Sequence, residues 1–179
     1  MSASPRTGAP RKIPGVSRLL HKARSLHLQL PLDLERLAIN RGCDYYERDL
    51  GPRIPPLGPV PLSNAELAIA LIVPSLHPDA RQIRLAAALL GSPEITVDEV
   101  ATLATEENCA SIVGYIAACG MRFEPQNPFW RSLAELLPDI KIAADEMPHP
   151  SRFIEMTGID RGRVGTFTRW IRPRARVTA

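Results

Sequence analysis

The chain has 179 residues, 45% of them hydrophobic, 5% aromatic, and a formal net charge of +3. That length suits one domain of ordinary size with extended ends, and that apolar fraction supplies a core built from Leu, Ile, Val and Ala. It excludes a membrane-spanning helix: the longest apolar run, LAIALIV at 67–73, falls far short of about 18 residues and stops at Pro74.

Residues 1–14 are rich in Pro, Gly and Ser and read as a disordered basic arm. A first helix is expected from Val16 to Leu30, stopping at Pro31, and a second over LDLERLAIN, ending near Gly42. Pro52, Pro55, Pro56, Pro59 and Pro61 then exclude helix and predict an extended strap. Ser63 and Glu66 spell a capping box before LAIALIV. The next helix should start with Pro78 in its first turn and run to Gly91, at the core.

Thr96 and Glu99 suggest a second capping box, and Asn108 a cap for ASIVGYIAAC. That almost wholly apolar helix is expected to end at Gly120 and to be the most buried. Asn127 should cap a helix with Pro128 at its first position, a stripe of Phe129, Leu133, Leu136 and Leu137, Trp130 beside it, and Pro138 closing it. A weaker helix is expected over IKIAADE, and one capped by Ser151 over RFIEMT. The tail, with Phe167, Trp170 and Ile171 among arginines and Pro173, predicts an extended arm with a short hairpin.

The predicted fold class is therefore all-α: a small helical bundle with a Pro-rich strap and basic extended terminal arms. The expected division is a basic arm over 1–14, a helical arm and strap over 15–62, a helical core over 63–157, and an Arg-rich extension over 158–179.

Charge is unevenly placed. Residues 1–32 hold Arg6, Arg11, Lys12, Arg18, Lys22 and Arg24 and no acid. Residues 161–179 hold Arg161, Arg163, Arg169, Arg172, Arg174 and Arg176 and no acid. All 19 acids lie between them. Three readings follow. The ends fold back on the acidic body or stay solvated; they reach a polyanion, DNA or RNA; or residues 1–30 act as a mitochondrial transit peptide. Nineteen arginines against three lysines, with much Ala and Pro, suggest a GC-rich bacterial genome.

The helix pair at 96–120 does not suit a DNA-reading helix-turn-helix. No Lys or Arg occurs between Arg84 and Arg122, while Glu94, Asp98, Glu99, Glu106 and Glu107 do. Such a surface repels phosphate. His77-Pro78-Asp79 matches the tripeptide of J-domain co-chaperones, but the preceding segment lacks basic residues and contains Pro74, so it reads as a helix start. Cys43, Cys109 and Cys119 read as free buried thiols of a reducing, cytoplasmic compartment. No metal, cofactor or catalytic motif is legible.

The segment TRWIRPRAR is the best binding candidate. Its arginines match phosphates and Trp170 could stack on a base, or anchor on an acidic protein surface. The other reading tucks Trp170 and Phe167 into the core. The candidate binding residues are Arg11, Lys12, Arg161, Arg163, Arg169, Trp170, Arg172, Arg174 and Arg176. The sequence thus predicts a non-enzymatic accessory protein that binds nucleic acid through its basic ends. The alternative is a protein–protein adaptor or inhibitor acting through its acidic helical body.

Overall fold

Ser17 accepts the N–H of Leu20 and opens the first helix, α1 (Arg18–Ser25). The computed structural model describes residues 16–43, 58–137, 146–157 and 167–174. α1 is shorter than its apolar pattern predicts, because His27 takes a left-handed conformation at φ 60° and ends it. The chain then turns into α2 (Leu32–Asn40), whose C-terminal Gly42 at φ 102° supplies the conformation that glycine tolerates best. The predicted prolines of the strap lie outside the described residues, apart from Pro59 and Pro61.

The Ser63–Glu66 capping box forms as predicted and starts α3 (Asn64–Leu71). A 3-10 turn at Pro74–Leu76 follows. The next helix, α4 (Ala80–Leu90), does not use Pro78 as its first residue. Asp79 caps it instead, with Gln82 reaching back in a reciprocal capping box, a D-x-x-Q signal present in the sequence. α5 (Val97–Glu106) is capped by Thr96, but Glu99 does not close a box. Its carboxylate accepts the Ser63 hydroxyl at 2.9 Å. Asn108 is not the cap of α6 (Ala110–Phe123); it sits at φ 58° in the turn, and Cys109 takes the capping position.

α6 runs past Gly120, because that glycine is needed for close packing and not for an end. A Cβ there would stand 2.7 Å from Cε2 of Trp130. The most buried helix is α3, with Leu67 to Leu71 wholly enclosed, whereas α6 leaves Ala118 exposed. Asn127 caps α7 (Pro128–Leu136), with Pro128 at its start as predicted. Its buried stripe is Trp130, Leu133 and Leu137; Leu136 faces water. Leu137 is extended at ψ 145°, as a residue before proline must be.

Residues 151–157 do not form the predicted helix. A 3-10 turn at Pro150–Phe153 leads into β1 (Ile154–Thr157), which pairs antiparallel with β2 (Phe167–Trp170). The register sets Glu155 opposite Arg169 and Ile154 opposite Trp170. The predicted helix over IKIAADE lies outside the described residues, apart from Glu146.

The protein is mostly helical, with seven α-helices and one two-stranded sheet among the described residues. One hydrophobic cluster takes in Leu19, Leu20 and Ala23 of α1, Leu34 and Leu37 of α2, the buried apolar residues of each helix from α3 to α7, and Trp170 and Ile171. Among the described residues, no helix is long and apolar enough to cross a membrane.

Candidate functional site

The two basic ends meet the body differently. At the C-terminal end, Trp170 is fully buried, and its indole donates to the Ala87 carbonyl at 2.9 Å. It stacks on Phe153 at 5.5 Å between centroids and lies 4.6 Å from the Trp130 ring. Of the two sequence readings, the structure places this indole in the core, where it cannot stack on a base. The strand's approach is close: a Cβ on Gly91 would meet Cδ1 of Trp170 at 2.9 Å.

The arginines around it turn to carboxylates of the body. Arg172 donates from Nε to the Gly91 carbonyl at 3.0 Å and from Nη2 to Glu124 at 2.6 Å. Arg169 pairs with Glu155, its cross-strand neighbour. Arg174 reaches the same carboxylate at 3.1 Å, and its backbone N–H bonds the Gly42 carbonyl at 3.0 Å. Burial pushes the Glu124 and Glu155 carboxyls up. The arginine hydrogen bonds outweigh it, and both titrate below the ordinary carboxylate range. Arg11, Lys12, Arg161, Arg163 and Arg176 lie outside the described residues.

At the N-terminal end, α1 buries Leu19, Leu20 and Ala23 and turns Arg18, His21 and Arg24 to solvent. Val16, Arg18, His21, Lys22 and Ser25 line a shallow depression of about 510 Å³. Three glutamates seat this helix. Glu107, buried, accepts the Leu19 N–H at 2.9 Å and so satisfies one free donor of the first turn. Glu66 holds the Lys22 ammonium at 2.6 and 2.8 Å. Burial pushes Glu66 up, but the Lys22 and Ser63 hydrogen bonds bring it below the ordinary range.

The third, Glu106, lies 3.4 Å from Arg18, whose side chain is 82% exposed. An exposed pair of that kind contributes about 0–1 kcal/mol and exchanges readily for another anion. Lys22 is therefore committed to the fold, and Arg18 is not.

Sequence reasoning missed these acceptors. For Glu106 and Glu107 the signal was the base-free interval from Glu94 to Glu107, which marks an acidic surface needing cations from elsewhere in the chain; Glu66 carried no signal beyond its place in a capping box. The three cysteines are free and buried, and burial, with the Glu107 charge, pushes the Cys109 thiol up to about 12. Among the described residues, no group of three or more His, Cys, Asp or Glu could hold a metal ion. No known protein family, curated protein or solved structure matches the chain.

Proposed function

We propose that this protein is a non-enzymatic accessory factor that binds nucleic acid through its basic N-terminal segment and the outer face of α1. The observation that carries the reading is the contrast between the two ends. The described arginines of the C-terminal end sit on carboxylates of the body. Arg18, exposed and held only by a 3.4 Å contact with Glu106, and the exposed Arg24 continue an acid-free stretch that also holds Arg6, Arg11 and Lys12. Cations so placed displace counterions from phosphate and give binding that depends on salt more than on sequence.

A second reading has its own support. α5 exposes Asp98, Thr102, Thr105 and Glu106 along one side, after the exposed Glu94. Such a face suits a basic partner protein. The test is binding of the full chain to single- and double-stranded DNA and RNA, beside a variant carrying Arg6→Gln, Arg11→Gln, Lys12→Gln, Arg18→Gln and Arg24→Gln. The first reading expects binding that the variant loses. Absence of binding by the unaltered chain at low salt removes it in favour of the second.

A further inference from the structure

Away from α1, the start of α4 and the turn before β1 border an open cleft of about 610 Å³, lined by Asp79, Ala80, Arg81, Pro148, His149 and Arg152. We propose that this cleft binds a small ligand carrying a phosphate monoester. Its lining joins two guanidiniums and an imidazole from segments some seventy residues apart in the chain.

Arg81 is held in place from the interior. Its Nη2 lies 3.0 Å from Oε2 of Glu35, a buried carboxylate whose other oxygen accepts from Gln82 at 3.0 Å. A donor fixed in this way loses little freedom when a ligand arrives. Arg152 is exposed, and its side chain has no partner among the described residues. The pair supplies the planar forks that suit phosphate oxygens.

His149 is set by its neighbours. The Ser151 N–H donates to Nδ1 at 3.3 Å, and the Ser151 hydroxyl lies 2.8 Å from the same nitrogen. Since the backbone can only donate, Nδ1 is the acceptor and the ring hydrogen sits on Nε2, a further donor. Asp79 also lines the cleft, but its carboxylate accepts the N–H groups of Arg81 and Gln82 at 2.9 Å. Both bonds fall on Oδ1, so that oxygen faces the first turn of α4, where the helix dipole favours negative charge.

The test is an amide-resolved NMR titration of the full chain with inorganic phosphate and with phenyl phosphate, at constant ionic strength in chloride. The expected result is saturable shifts concentrated at Ala80, Arg81, His149 and Arg152 with both probes. Arg152→Gln should weaken binding about tenfold, and Arg131→Gln, on the exposed side of α7, should leave it unchanged. The proposal is overturned by shifts that do not saturate or that spread over every exposed arginine. It is equally overturned if phosphate binds and phenyl phosphate does not, or if Arg152→Gln binds as the unaltered chain does.

Discussion

One oxygen of Glu124 stands 2.6 Å from the Arg172 guanidinium and 2.9 Å from the Trp130 indole nitrogen. A single carboxylate thus ties the C-terminal strand to α7, across the segment that follows α6. The basic C-terminal end is a structural part of the protein for as far as it is described.

Removing that carboxylate leaves a buried indole N–H without its acceptor and takes one of its partners from the Arg172 guanidinium. Glu124→Ala should lower unfolding free energy by about 2–4 kcal/mol in urea denaturation. Arg172→Gln should cost less, and neither change should weaken nucleic-acid binding. Loss of binding by Arg172→Gln at unchanged stability would return this arginine to the interface.

Gly120 offers a second test of packing. A methyl group there overlaps the inner atoms of the Trp130 ring, which is hemmed in by Phe129 at 4.9 Å and Trp170 at 4.6 Å. Gly120→Ala should destabilise by about 1–3 kcal/mol, although alanine is the better helix former by about 1 kcal/mol. A gain in melting temperature would show that α6 and α7 stand further apart than described.

Acid and neutral pH should act on stability in opposite directions. Burial raises the Glu35 carboxyl above its ordinary value, against the Gln82 hydrogen bond and Arg81. Stability from this group therefore grows as pH falls through its raised folded value. Glu66, Glu124 and Glu155 titrate below the ordinary value, so their contribution is present above it and disappears as pH falls through their folded values. Stability should pass through a maximum in mildly acidic solution and decline below about pH 4. Glu35→Gln should remove the rise and keep the decline. Denaturation midpoints measured across pH check this, and parallel profiles for the two chains would contradict it.

The helix layout was largely legible because caps and periodic apolar residues act locally. Ser63 with Glu66, Asn127 with Pro128, and LDLERLAIN all form as the sequence predicts. The end of α6 was not legible, since Gly120 serves a ring that arrives from another helix. The segment RFIEMT has helical spacing, yet its last four residues become a strand because β2 lies beside them and buries Trp170. At the candidate interface, charge counting located the basic ends but could not say which arginines the body would hold. That choice depends on Glu124 and Glu155, as the seating of Lys22 depends on Glu66, carboxylates brought in by the fold.

The measurement that bears most directly on the account is the salt dependence of binding to duplex DNA, for the full chain and for the chain neutralised at Arg6, Arg11, Lys12, Arg18 and Arg24. Each phosphate contact contributes about −0.9 to the slope of log affinity against log salt, so these five cations predict a slope of about −2 to −4.5. The neutralised chain should lose both the affinity and the slope while unfolding as the unaltered one does. An equal slope for the two chains, or no binding by the full chain at low salt, would contradict the assignment of α1 and the N-terminal segment to nucleic acid.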